Sequence, residues 1–295
     1  MATDKIKIMK KKVILITGTN SGFGWYYAHT LSGAGHTVYA TMRDINGRNK
    51  QKSAELEALT NVRVLEVEIT DEASVKKAIT TIINEQGRLD VLINNAGNVV
   101  GGLAESFTGK DIDSLFDVHV KGSWYAIKEA LPYMRRQQDG LIINTSSVLG
   151  RFSSPFFTFY NAAKFAIEGI SEGLHYEVRP LGVDIAILQP GAFPTEIFAN
   201  AQKSSDESVV AGYGDLAHIP EQMNAGIAKL FEESKPDPQQ VADAVLQLVE
   251  LPKGKRPLRT VVDNLTGTIV EEANAHVGEG YKNFVSAFGL QELLN

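Results

Sequence analysis

The chain has 295 residues, 43% of them hydrophobic and 22% charged, with a net charge of −6. These totals describe an ordinary globular protein of one large or two small domains, and the acidic balance disfavours nonspecific binding to nucleic acid or anionic membranes. The absence of cysteine excludes disulfides, thiolate nucleophiles and iron–sulfur sites, and it fits a reducing compartment.

The six histidines include no HExxH or other close ligand pair, so no metal is expected. The N-terminal stretch MATDKIKIMKKKVILITG has lysines and then an apolar run that glycine soon interrupts, so no signal peptide is expected. No run of about 18 apolar residues occurs, so no transmembrane helix is expected. A cytoplasmic location is the resulting expectation.

In chain order, residues 13–17 (VILIT) are a β-branched apolar run that ends in glycine, the pattern of a strand buried on both faces. It leads directly into TGTNSGFG at 17–24. Gly18, Gly22 and Gly24 at a strand-to-helix junction let backbone N–H groups approach a pyrophosphate, with the helix N-terminus favouring its charge. No Gly-Lys-Ser/Thr follows, so this is not a P-loop. A second strand is expected over 37–42, followed by Arg43 and Asp44. An acidic residue in this region serves the ribose hydroxyls of NAD, whereas arginine accommodates the 2′-phosphate of NADP. A guanidinium holds phosphate bidentately, and Arg43 comes first after the strand, so NADP(H) is the preferred cofactor, with NAD(H) through Asp44 as the alternative.

A third strand is expected over 62–67, then a helix over 71–86 that Asp71 and Glu72 open, with Val75, Ala78, Ile79 and Ile82 on one stripe. A fourth strand at 91–94 precedes a long helix over 111–137, which contains His119 among apolar neighbours. Trp124, Tyr125, Tyr133 and Met134 on that helix are candidates for a subunit contact. A fifth strand at 141–144 runs toward Ser147, and ligands bind at the carboxyl ends of parallel strands. Tyr160 and Lys164 stand at i and i+4 on the next helix, expected over 160–179. Tyrosine is a poor acid–base at its ordinary pKa of about 10, and a nearby ammonium brings it toward the working range.

Between Ser147 and Tyr160 the sequence is aromatic. From this stretch and the one after the sixth strand (183–188), Phe152, Phe157, Phe193 and Phe198 are the expected lining of an apolar pocket. Residues 192–236 lack a strand and read as an excursion over the ligand site. A seventh strand is expected at 260–262, and a C-terminal extension from about 265. Strands alternating with helices imply α/β architecture, a doubly wound parallel sheet of seven strands with helices on both faces, in one domain.

TGTNSGFG (17–24), NNAG (94–97), Ser147, YNAAK (160–164) and PGAFPT (190–195) occur in an order and spacing that resemble the short-chain dehydrogenase/reductase family over about residues 10–265. The resemblance implies a single Rossmann-type domain over 1–295 and a hydride transfer between nicotinamide and a ketone or secondary alcohol. It implies Tyr160 as acid–base, Ser147 polarising the carbonyl, and Lys164 on the nicotinamide ribose. Asn20, Ser21 and Phe23 would join the glycines around the pyrophosphate. Glu68 and Ile69, where the family has Asp-Val, would lie by the adenine. Asn95, Ala96 and Gly97 would border the adenosine ribose, and Pro190, Gly191 and Thr195 the nicotinamide.

The family has asparagine where this chain has His119, and that asparagine holds a water in a proton relay behind the lysine. His119 is expected to hold the same water; displacement of that water by the ring is the alternative. The chain looks most like the hydroxysteroid- and retinol-dehydrogenase-like carbonyl reductases, which implies a small hydrophobic carbonyl or alcohol substrate and a homodimer or homotetramer. A non-catalytic dinucleotide sensor of the same fold is the competing expectation.

Overall fold

Alternate residues of a buried strand face opposite ways, and that alternation builds the molecule. A computed structural model describes residues 11–199 and 204–294. In β1 (Val13–Ile16), Ile14 and Ile16 join one apolar core while Val13 and Leu15 join another on the opposite face. Both faces of the sheet are therefore covered, and the strand reads as an unbroken hydrophobic run.

The elements follow as α1 (Gly22–Gly33), β2 (Thr37–Met42), α2 (Lys50–Glu57), β3 (Val62–Glu66), α3 (Glu72–Gln86) and β4 (Val91–Asn94). Then come α4 (Gly109–Phe116), α5 (Ser123–Gln137), β5 (Gly140–Thr145), α6 (Thr158–Val178), β6 (Val183–Pro190) and the short α7 (Glu196–Ala199). The chain closes with α8 (Ile219–Ser234), α9 (Gln239–Glu250), β7 (Arg259–Val262) and α10 (Gly267–Ala287). The seven strands form one parallel sheet in the order β3-β2-β1-β4-β5-β6-β7. The order reverses at β1 and β4, which opens a crevice at their carboxyl ends. Among the described residues, no helix is long and apolar enough to cross a membrane.

Local chemistry sets the boundaries of α3. Asp71 accepts a hydrogen bond from the Ala73 amide at 3.0 Å, and Gly87 ends the helix at φ 70°. Val75, Ala78, Ile79 and Ile82 are buried against the sheet. Asp71→Ala is expected to cost about 1 kcal/mol of stability, read as a lower urea midpoint with an unchanged slope.

The single helix expected over 111–137 is instead two. α4 starts in a Thr108–Asp111 capping box, and a π-helical turn, Asp117–Gly122, separates it from α5. The apolar periodicity runs through the turn, which is why the sequence pattern does not mark it. Met134 is fully buried in the core, so it is not available as a subunit contact; Trp124 is exposed. The 192–236 segment is largely helical, through α7, a 3-10 stretch and α8.

Candidate active site

The glycine turn closes on itself through side chains of the fourth strand's end. Thr17 Oγ1 accepts from the amides of Asn95 (2.9 Å) and Ala96 (3.0 Å), and Asn95 Nδ2 donates to the carbonyls of Thr17 and Gly18. A Cβ on Gly24 would stand 2.2 Å from the Gly18 oxygen, and one on Gly18, at φ 69°, would stand 2.8 Å from Ala96 Cα. Only glycine fits either place. Across the crevice, Thr195 is the nearest neighbour of Gly22. Ser21 sits at the N-cap of α1 without a side-chain cap bond, so the first-turn N–H groups have no capping oxygen from this residue. A bare backbone cradle at a helix N-terminus suits a pyrophosphate, and the residues present therefore fit a dinucleotide. The Asn95 side-chain amide also ties the turn to the end of β4.

At the end of β2, Arg43 is exposed and 3.4 Å from Glu68, which is itself partly exposed. The Asp44 carboxylate turns back into its own loop, where it accepts from the Arg48 amide at 3.0 Å. Glu68 also accepts from the hydroxyl and amide of Thr70. The Ile69 side chain is buried in the core.

The groups expected to do chemistry meet at the ends of β5 and β6. Ser147 and Tyr160 are both buried, and the Ser147 side chain is near enough to act on the Tyr160 phenol. Ser147 Oγ also accepts from the Leu149 amide at 3.1 Å and lies 3.5 Å from the carbonyl of Pro190. One turn along α6 from Tyr160, the Lys164 ammonium donates to the Thr145 carbonyl at 2.8 Å and lies 5.5 Å from the Tyr160 ring centroid. Burial pushes the Tyr160 phenol up to about 12, against a lowering by the neighbouring Ser147. Desolvation is the larger of the two influences on this phenol. Burial likewise brings Lys164 down to about 8, with Glu168 opposing the change.

His119 projects from the π-helical turn. Its ring meets Tyr160 edge-on, with centroids 5.8 Å apart, and packs so closely on Gly97 that a Cβ there would be 2.6 Å from Cε1. Nε2 is 2.7 Å from the Asn98 carbonyl. A carbonyl only accepts, so the proton sits on Nε2, and the 3.2 Å approach of the Asn98 amide to the same atom is a close contact rather than a second bond. Nδ1 is left as the acceptor. Burial, then the Lys164 charge, holds His119 down to about 3, so it is neutral at physiological pH.

His119 gives a pH signature. The unfolded chain takes up a proton near pH 6.5 that the native ring refuses, so stability falls as pH drops from 6.5 toward 3. His119→Asn should remove that loss. Its stability relative to wild type should be about 2 kcal/mol more favourable at pH 5 than at pH 8, measured by urea unfolding at both pH values.

Above Tyr160 lies an apolar cluster. Val99, Val100, Leu115, Phe157 and Ala163 are buried with it, and Ile197, Met223 and Ile227 pack on from the excursion. Phe157 lies 6.3 Å from the Tyr160 ring. Phe193 is a correction: it is 3% exposed in the sheet's core, edge-on to Phe23 at 5.7 Å, so neither ring is free to line an open pocket. Phe152 is exposed on the loop after Ser147, and the side chain of Phe198 lies outside the described residues. Met223 and Ile227 escaped the sequence reading, although their i, i+4 spacing carried the signal.

The excursion is fastened down by Asp111. Its carboxylate accepts from Ser205 Oγ at 2.6 Å and from Thr108, and these bonds hold it down to about 2. Among the described residues, no group of three or more His, Asp or Glu stands together to hold a metal.

The sequence profile of the short chain dehydrogenase family matches residues 12–206. The chain is 41% identical over 207 residues to the 3-ketodihydrosphingosine reductase of Bacteroides thetaiotaomicron, covering 70% of this chain and 73% of that protein. It is 31% identical over 252 residues to 17-beta-hydroxysteroid dehydrogenase type 1 of Homo sapiens, covering 83% and 76%. A solved short-chain dehydrogenase from Streptomyces avermitilis superposes with a TM-score of 0.74 at 28% identity, over 95% of this chain and 98% of that one.

Proposed function

We propose, for a chain that belongs to the short-chain dehydrogenase family and is an oxidoreductase of CH–OH and C=O groups, that it transfers a hydride between NADP(H) and a hydrophobic ketone or secondary alcohol. The observation that carries this reading is the buried Tyr160 side chain, beside Ser147 and one helical turn from Lys164, beneath an apolar cluster. When bound, NADPH supplies the hydride to the carbonyl carbon.

The chain's own residues handle the oxygen and its proton. Ser147 and Tyr160 donate to the ketone oxygen and orient it. Tyr160, held near 12 by burial, is protonated at neutral pH and delivers its proton to that oxygen in reduction. Oxidation runs the transfer in reverse. Lys164 keeps a positive charge behind the tyrosine. His119, neutral and donating to Asn98, braces the Tyr160 ring and leaves Nδ1 as the acceptor through which a relay would run. His119→Asn with an unchanged rate and pH profile removes that relay.

The cofactor assignment rests on the end of β2. Arg43 is exposed, and its present partnership with Glu68 is a weak surface pair. Asp44, the NAD-type candidate, is occupied by its own loop. The substrate class rests on the cluster of Val99, Val100, Phe157, Met223 and Ile227 around Tyr160. The names of two relatives, a ketodihydrosphingosine reductase and a hydroxysteroid dehydrogenase, point to substrates of the same apolar kind. A thermal-shift titration with NADP⁺ and NAD⁺ side by side tests the cofactor. Ligand at one hundred times its Kd stabilises by about 2.7 kcal/mol, and the larger shift belongs to NADP⁺ on this reading.

A further inference from the structure

Behind Ser147, five side chains from four different elements and one loop form a single directed chain. Arg151 Nε donates to Asn274 Oδ1 at 2.7 Å, and Asn274 Nδ2 donates to Gln189 Oε1 at 2.7 Å. Gln189 Nε2 donates to Glu168 Oε1 at 2.8 Å, while Arg259 Nε holds the other oxygen, Glu168 Oε2, at 2.9 Å. Gln189 is fully buried, and Glu168 and Arg259 are nearly so. Arg151 and Asn274 are partly buried.

The polarity of this chain is fixed by its ends. Arginine only donates and an ionised carboxylate only accepts. The two carboxamides between them must each accept on one side and donate on the other. An amide does this without adding charge; a carboxylate at 274 would set oxygen against Gln189 Oε1, and an apolar residue would take the partner from Arg151 Nε and from Gln189 Oε1.

Asn274 grips Ser147 from two sides. Through Arg151 it holds the turn that follows Ser147, in which the Gly150 amide donates to the Ser147 carbonyl at 2.9 Å. Through Gln189 it holds the end of β6, next to Pro190, whose carbonyl faces Ser147 Oγ. A Cβ on Gly150 would lie 3.0 Å from Glu168 Cγ, so the turn is seated directly on the network. We propose that Asn274, on the last helix, is a positioning residue that sets the Ser147 hydroxyl for the reaction, so that α10 is part of the active site's frame. The inference rests on the reading of Ser147 given above.

The test is a double-mutant cycle in kcat with NADPH and an apolar ketone, using Asn274→Ala, Ser147→Ala and the pair. Asn274→Ala should lower kcat about tenfold, as a small misplacement does, with the Kd for NADP⁺ unchanged. Because Asn274 acts through Ser147, it should cause no further loss in the Ser147→Ala background. Arg151→Ala, which breaks the chain at its other end, should show the same loss and the same non-additivity, and it serves if Asn274→Ala does not fold. A wild-type kcat in Asn274→Ala, or an equal loss in both backgrounds, with Ser147→Ala itself impaired, overturns the assignment of Asn274 alone. An unimpaired Ser147→Ala overturns the reading beneath it and the inference with it.

Discussion

Tyr160→Phe is expected to lower ketone reduction about a thousandfold, within the range for loss of a general acid, while the Kd for NADP⁺ stays within about twofold of wild type. Tyr160 is 9% exposed and lies beside Ser147. Phenylalanine keeps the ring that packs on His119 and Phe157 and removes only the hydroxyl, so the fold and the dinucleotide cradle, built from Thr17, Gly18, Gly24 and Asn95, are untouched. A variant that binds NADP⁺ and fails to turn over separates chemistry from binding. Turnover retained in Tyr160→Phe removes Tyr160 as the acid, and loss of NADP⁺ binding would mean that the ring supports the cradle instead.

Arg43→Ala is expected to weaken NADP⁺ by about 10- to 100-fold, the worth of a charged hydrogen bond of about 1.5–3 kcal/mol, with NAD⁺ changed by less than about threefold. The asymmetry follows from the position of Arg43 at the end of β2 and from the absence of a 2′-phosphate on NAD⁺. Removing the guanidinium leaves Glu68 partly exposed to solvent, so stability should hardly change. Equal losses for both dinucleotides would show that Arg43 does not read the phosphate. A rise in NAD⁺ affinity with no loss of NADP⁺ would assign the discrimination to Glu68.

The sheet was legible because its strands, buried on both faces, leave unbroken apolar runs such as VILI at 13–16 and VLIN at 91–94. The glycine turn, Ser147 and the Tyr160/Lys164 pair were legible because short spacing on one strand end or one helix face fixes their relative positions. Burial direction was not. Phe193 and Phe157 are both phenylalanines near the site, and only the fold places one in the core and the other beside Tyr160. The break at 117–122 was hidden because the change from α to π geometry leaves the apolar pattern intact. The bonds of Asn95 to Thr17 and Gly18 were out of reach because the β1–β4 pairing brings these partners to it. The network of Asn274 was out of reach for the same reason: Arg151 and Asn274 stand 123 positions apart.

Deuterium transfer tests the central claim most directly. NADPH labelled at the transferred C4 position would be incubated with the protein and an apolar ketone, and the product alcohol examined by mass spectrometry and NMR. The account predicts one deuterium on the carbinol carbon, none exchanged with water, and product formed about a thousandfold more slowly by Tyr160→Phe. An alcohol without the label, or labelled product formed equally well by Tyr160→Phe, would contradict it.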